Sequence, residues 1–291
     1  MALPNINDYF VPESHQEAVD LLKRFGENAM IVAGGTFVHG LEARGVLADV
    51  EALVDIGRLG LGGITVNDAG VTLGATTVFA ELEAHEAVQT DPALGAIKDA
   101  LTYPPQQIRN VGTVGGCICA SAPLYDMPCA LLALDGRAIA VGEGGEREIA
   151  LADFFTGLFE NALTDTELLT EVVLPAAAPN TASAFLKLET NANDLAILNV
   201  AVRLTVDDSG ACQDTRVIVG GGVGETYARA TGTESKLNGA PASADTFAAA
   251  AETVGDQIDA VDDHRGSAAY RKHIAKVFTR RALGTALERL G

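Results

Sequence analysis

The stretch RNVGTVGGCICASAPLYDMPCALLALD, Arg109–Asp135, decides how the chain is read. It joins a turn with paired glycines, Gly115 and Gly116, to a run of small residues and then to an acid, Asp126, ahead of an apolar segment. An earlier turn, Ala33-Gly34-Gly35-Thr36, carries similar chemistry. Glycine tolerates positive φ and lets a ligand come close to the main chain. Successive N–H groups in such a turn form an anion-binding hollow, and a helix start beyond it adds positive partial charge. Two turns of this kind are what a fold needs to grip a diphosphate from two sides. Neither reads GxGxxG or GxxxxGK[ST], so the Rossmann fingerprint and the P-loop are both excluded. Both also read as ordinary strand-to-helix turns, and the glycines alone leave that choice open.

Upstream, Ser14 and Glu17 form a capping-box pattern, and Ala18, Leu21, Leu22 and Phe25 repeat at helical spacing. Met30–Ala33 reads as a buried strand ending in the first glycine turn, Phe37–Arg44 as a short helix and Leu53–Ile56 as a strand. Residues 1–57 therefore form a β-α-β-α-β unit. His39, after the turn, is a candidate ligand contact and equally an exposed or capping residue. In residues 58–175, Asn67–Gly70 turns a hairpin between Ile64–Val66 and Val71–Leu73. Val78–Ala84 and Ala93–Ala100 read as helices, and Tyr103-Pro104-Pro105 stops the second. The spacing Val114, Cys117, Cys119, Ser121 reads as extended chain passing something bulky. Asp126 then opens a helix to Leu134, with Pro128 tolerated in its first turn and Asp126 itself a candidate cap. A hairpin of Arg137–Val141 with Glu146–Ala150, two core residues Phe154 and Phe155, and a strand Leu168–Leu174 follow. Pro175–Pro179 reads as a linker. Residues 180–291 give strands at Ser183–Glu189, Ala196–Val206 and Thr215–Gly220 before helices at Thr233–Leu237, Ala244–Val254 and Ser267–Leu290. Strands followed by helices are the α+β order. Gly220–Gly222 reads as a strand-end turn.

Composition narrows the function classes. The chain has 291 residues, 20 Lys and Arg against 39 Asp and Glu, and a formal charge of −19. That balance argues against nucleic acid, whose phosphates demand a basic surface, and against anionic membranes. No apolar run reaches the roughly 18 residues of a membrane span, and Met1–Phe10 lacks the pattern of a signal peptide, so the expected location is the cytoplasm. A dense acidic surface is tolerable where salt screens it, which points to a high-salt habitat. The four cysteines, Cys117, Cys119, Cys129 and Cys212, form no CxxC pair. Their spacing fits no ferredoxin pattern, and they read as small buried hydrophobes; no metal site is expected. No Ser-His-Asp order or carboxylate pair proposes hydrolysis.

Four segments together carry a family likeness: IVAGGTFVHG (31–40), TVGGCICASAPLYDMPCALLALD (113–135), ELLTEVVLPAAAPNTASAFLKLE (167–189) and YRKHIAKVFTRRAL (270–283). In content and order they resemble the FAD-binding medium subunit of the molybdenum hydroxylases, the carbon monoxide dehydrogenase and xanthine dehydrogenase type. The resemblance implies an α+β fold, with a two-subdomain FAD-binding domain followed by a C-terminal antiparallel sheet with helices. It implies that Ala33, Gly34, Gly35 and Thr36 cradle the FAD diphosphate together with Thr113, Val114, Gly115, Gly116 and Cys117. Asp126 would bind further along the dinucleotide, and Tyr103, Leu169 and Lys187 match flavin-contacting positions. A lysine there would favour the negative charge gained on reduction. The family often has Asn where this chain has Cys117, so only a backbone contact carries over at that position.

The same resemblance makes the chain an oxidoreductase component with no catalytic side chain of its own. Its expected partners are an iron–sulfur small subunit and a molybdenum large subunit, with NAD or a quinone as possible electron acceptor. A self-sufficient flavin oxidoreductase and a non-catalytic binding module are the readings from other classes. The last helix carries Arg271, Lys272, Lys276, Arg280, Arg281 and Arg289 in an otherwise acidic chain, with Tyr270, Ile274, Val277 and Phe278 as its expected core face. Some of those cations are expected to meet an acidic partner subunit.

Overall fold

The computed structural model describes residues 6–42, 47 and 49–291. The chain opens with β1 (Asp8–Phe10), α1 (His15–Phe25), β2 (Ala29–Val32), α2 (Thr36–Glu42) and β3 (Ala52–Asp55), and the strands pair in parallel in the order β1-β3-β2. The α1 start follows the expected cap: Ser14 accepts from the Glu17 N–H, and the Glu17 carboxylate reaches back to the N–H of Glu13. The expected helix from Phe37 is α2; residues 43 and 44 of that expectation lie outside the described residues. Strand β2 is half-buried along its length rather than buried, because Met30 and Ile31 line a cavity.

The middle of the chain is built on a five-stranded antiparallel sheet, ordered β4-β5-β10-β6-β7. Its strands are β4 (Ile64–Asn67), β5 (Gly70–Gly74), β6 (Arg137–Gly142), β7 (Gly145–Ala150) and β10 (Leu168–Pro175). Between β5 and β6 run α3 (Phe79–Ala84), α4 (Glu86–Thr90), α5 (Gly95–Ala100), α6 (Gln106–Arg109), α7 (Val114–Cys119) and α8 (Asp126–Ala133). After β7 come α9 (Leu151–Phe154) and the small hairpin of β8 (Phe155–Gly157) and β9 (Glu160–Asn161). The core here gathers Leu73, Leu82, Ile97, Ile118, Leu131 and Phe154, with Phe155 half-buried against it. Ala93–Ala100 is not one helix: a 3-10 turn, Pro92–Leu94, precedes α5.

The segment expected to be extended past Val114 is the helix α7. Thr113 caps it, with its side chain accepting from the Gly116 N–H. Val114 and Ile118, four residues apart, point together into the core. The positions 117, 119 and 121 have a strand's period of two but 114 does not, and a threonine cap followed by an i, i+4 apolar pair outweighs that spacing.

The third sheet, β11-β12-β13-β14, is antiparallel. It comprises β11 (Thr181–Leu188), β12 (Leu198–Val206), β13 (Cys212–Gly221) and β14 (Ala228–Arg229), and is followed by α10 (Thr231–Leu237), α11 (Ala244–Ala251) and α12 (Ala268–Leu290). Helix α12 packs on β11 and β12, and α8 also packs against β12 and β13. The face that α12 buries overlaps the expected one only in part: Ile274 and Phe278 pack half-buried against the core. Arg271, Ala275, Thr279, Ala282, Leu283 and Ala286 are inside, whereas Tyr270 is exposed. Small residues at that seam let the helix lie close to the strands. The Gly220–Gly222 run ends β13: Gly221 has φ +93°, and a Cβ on Gly222 would strike the Arg271 guanidinium. Among the described residues no helix is long and apolar enough to cross a membrane.

Candidate functional site

A cavity of about 800 Å³ lies where all three sheets meet, within the usual range for small-molecule sites. Ala33, Gly34, Gly35, Thr36, Tyr103, Thr113, Gly115, Gly116, Cys117, Asp126, Leu169 and Lys187 all line it. Among the residues expected at the site, Val114 alone is off the wall: its side chain is in the core and its N–H donates to Thr77 O at 3.0 Å. His39 is exposed.

The two glycine turns are in contact. A Cβ on Gly34 would fall 1.7 Å from the Val111 carbonyl oxygen, so this glycine is required by the chain segment leading into the second turn. Gly115 is pressed on Ala75 in the same way, with a Cβ meeting Ala75 Cβ at 2.7 Å. Gly35 differs: it has φ +72° and open space around it, a conformation that a Cβ disfavours.

Hydrogen bonding then separates what each turn offers. In the second, the N–H of Gly115 donates to Ala75 O at 2.8 Å and that of Gly116 to Thr113 Oγ1 at 3.1 Å. These amides are partnered inside the chain, so the second turn lines the cavity with Thr113 and bare glycine surface. In the first, α2 begins at Thr36, and the leading N–H groups of a helix have no acceptor within it.

Asp126 is not a cap. It is the first residue of α8, and its carboxylate is buried in a polar cluster. Oδ2 accepts from Lys187 Nζ at 2.9 Å and Oδ1 from Asn199 Nδ2 at 3.2 Å. Lys187 and Asn199 are register partners across β11 and β12, which brings both side chains to the same face of the sheet. Lys187 Nζ also lies 3.3 Å from Glu189 Oε2 and 5.2 Å from the centre of the Tyr103 ring. Burial pushes the Asp126 carboxyl above the usual carboxylate range, against the pull of Lys187 and Asn199. Burial likewise raises the Tyr103 hydroxyl, which accepts from the Lys187 backbone N–H at 3.2 Å. Burial pushes the thiols on the wall up, Cys119 to about 12 and Cys117 higher still, which keeps them protonated.

Sequence reasoning did not single out Asn199 or Glu189. Glu189 lay two residues beyond Lys187 and so on the same side of an extended chain, a signal that was available. Asn199 is found only once the register is known. Arg109 was quoted without a role; it pairs with Glu83 and donates to the carbonyls of Leu101 and Pro104, fixing the turn that carries Tyr103.

Known proteins resemble the chain over nearly its whole length. Residues 4–177 match the family described as "FAD binding domain in molybdopterin dehydrogenase", and residues 183–286 the "CO dehydrogenase flavoprotein C-terminal domain". The chain is 34% identical to the 6-hydroxypseudooxynicotine dehydrogenase complex subunit alpha of Paenarthrobacter nicotinovorans, over 97% of this chain and 95% of that one. It is 32% identical to the carbon monoxide dehydrogenase medium chain of Hydrogenophaga pseudoflava, over 99% of both. A solved structure of the Hydrogenophaga pseudoflava carbon monoxide dehydrogenase, in a form lacking the Mo-pyranopterin moiety of its molybdenum cofactor, superposes with a TM-score of 0.92 at 30% identity, covering 99% of each chain. The chain belongs to the family of FAD-binding medium subunits of the molybdenum hydroxylases.

Proposed function

We propose that this subunit passes electrons from the iron–sulfur clusters of a small partner subunit to an external acceptor, through FAD held in the cavity described above. A large molybdenum-bearing subunit would oxidise the substrate. The single observation that carries the binding part is the convergence of both glycine turns and the Asp126–Lys187 pair on one cavity of about 800 Å³. The residues fit the group. An extended dinucleotide needs a wall it can approach closely, donors for a diphosphate, and apolar surface beside a few polar groups for its ring system. The first turn supplies the N–H donors and Thr113 a hydroxyl. Leu169, Tyr103 and Lys187 supply the surface on which the ring would rest, and Asp126, paired with Lys187, a contact further along the dinucleotide. FAD supplies the chemistry, taking up and releasing electrons; the protein binds, orients and sets the charge around it.

The lengths of the relatives support the partner assignment, since this chain spans nearly all of each medium subunit or subunit alpha it resembles. NAD or a quinone is the acceptor class we assign, and the cytoplasm in concentrated salt the setting, on the charge of −19. The test has two arms. Recombinant chain refolded in high salt with FAD is expected to show bound flavin absorption; a folded sample that takes up no flavin overturns the binding reading. Purification from the native host is expected to yield iron and molybdenum in the same complex. A flavoprotein recovered alone, active and free of both metals, replaces this reading with a self-sufficient oxidoreductase.

A further inference from the structure

Lys187 is one buried cation answered by two carboxylates. Its Nζ is 2.9 Å from Asp126 Oδ2 and 3.3 Å from Glu189 Oε2, with the lysine side chain 3% exposed. Asp126, Lys187 and Tyr103 line the cavity, and Glu189, 21% exposed, reaches Lys187 from outside that lining. Glu189 Oε2 is shielded from water and accepts no hydrogen bond, so that oxygen is met by the ionic contact to Lys187. Another acid acting on this corner, Asp99, has its own counter-ion: Arg289 donates to both of its oxygens, at 2.6 and 2.9 Å. Asn199 and Tyr103 complete the surroundings and carry no charge.

The trio therefore bears one net negative charge. A lone ammonium at this place would favour electron uptake beside it. Here Asp126 already balances that ammonium, and Glu189 tips the site the other way. Coulomb interactions beside a buried group reach further than in solvent, so a carboxylate 3.3 Å from the Lys187 ammonium is still felt at the wall.

We propose that Glu189 lowers the reduction potential of the flavin bound against Asp126 and Lys187 by over-neutralising the lysine. The proposal rests on the FAD reading above, with the ring system at Lys187. It assigns to Glu189 a role in setting how readily the site gives electrons up, which suits a subunit whose task is to hand them on.

The experiment is a spectroelectrochemical titration of FAD in the holoprotein, comparing the parent with Glu189→Gln and Glu189→Asp. Glu189→Gln keeps the shape and removes the charge. It is expected to shift the two-electron equilibrium toward reduced flavin by about tenfold, a rise of ~30 mV, with FAD content unchanged. Glu189→Asp keeps the charge and is expected to stay near the parent. An unmoved potential in Glu189→Gln overturns the proposal, whereas a parent protein without FAD overturns the binding reading instead. Should Glu189→Gln alone lose the cofactor, the cofactor-free chain carries the test through carboxyl NMR of Asp126. The Glu189 charge raises the Asp126 titration, so its removal is expected to lower it. An Asp126 that titrates unchanged shows that the two carboxylates do not share Lys187, and the proposal falls.

Discussion

Two residues show how one signal in the sequence can have different physical causes. Gly34 and Gly35 both looked like ligand-facing glycines. Gly34 is small because the Val111 carbonyl occupies the place of its side chain, and Gly35 because its φ is +72°. Gly34→Ala is therefore expected to destabilise the cofactor-free chain by about 1–3 kcal/mol or more, as overpacking does. Gly35→Ala should cost ~1 kcal/mol of left-handed strain. Urea unfolding without FAD checks the order, and equal costs would contradict it. The turns were legible because glycine pairs are conspicuous; their causes were not, because Val111 and Ala75 meet them only in the folded chain. Glu167, on the cavity wall, carried no signal at all. It accepts two hydrogen bonds from Arg147, at 2.6 and 2.7 Å, and one from the Thr164 N–H at 2.8 Å. The Arg147 hydrogen bonds above all hold its carboxyl at about 2, against an ordinary 4.5. A lowered carboxylate stabilises fully above the ordinary value and stops doing so as pH falls through the lowered one. Glu167→Gln should thus melt below the parent above pH 4.5, and the gap should close toward pH 2. A gap that is constant over that range would show that the ion pair does not titrate as described.

At the scale of elements, α7 is where local spacing misled and capping chemistry decided. Thr113→Val keeps the shape of the side chain and removes the oxygen that accepts from the Gly116 N–H. Loss of such a cap costs ~1 kcal/mol, and Thr113→Ser should restore most of it; denaturant midpoints of the three proteins measure this. If valine costs nothing, the hydroxyl is not acting as a cap. Strand β11 is the counterpart on the other side of the cavity. It is an edge strand, and edges invite unwanted pairing. Here alternate residues are covered: Ser183 Oγ accepts from the Ala96 N–H and donates to Ala93 O, the Phe185 N–H donates to Asp99, and the Lys187 N–H to the Tyr103 hydroxyl. The cover comes from residues 93–103, so the element that protects the edge also delivers Tyr103 to Lys187. Strands β11, β12 and β13 of the C-terminal sheet were readable to within a few residues at their ends. That α5 would lie along β11 was not, because contacts nearly ninety residues apart leave no local pattern.

The whole molecule is governed by its charge. Acids outnumber bases by 39 to 20, and the cations are largely spent inside the fold. Of the six expected on α12, Arg271 is fully buried and bonded to Asp263 and to the carbonyls of Ile197, Val261 and Gly266. Lys276 pairs with Glu252, and Arg289 with Asp99. These three hold the subunit together. Self-repulsion among the remaining acids should lower the melting temperature on dialysis into dilute buffer; a melting temperature unchanged from dilute to molar salt would contradict that. Arg280 and Arg281 stand apart. Both are exposed, and neither enters the ion pairs formed among the described residues. They share the outer ridge of α12 with the exposed Tyr270 and His273 and with Gly284, beside which a Cβ would meet open space. An exposed ridge with two arginines and an aromatic residue, interrupted by the exposed Glu288, offers an acidic chain a local patch of opposite sign on a protein of charge −19. Reversing both arginines, Arg280→Glu with Arg281→Glu, should weaken co-purification with the iron–sulfur and molybdenum subunits, most strongly at low salt. FAD content and melting temperature should stay those of the parent, because neither residue supports the cavity or the core. Undiminished recovery of the full complex with the double variant would remove this ridge from the docking surface.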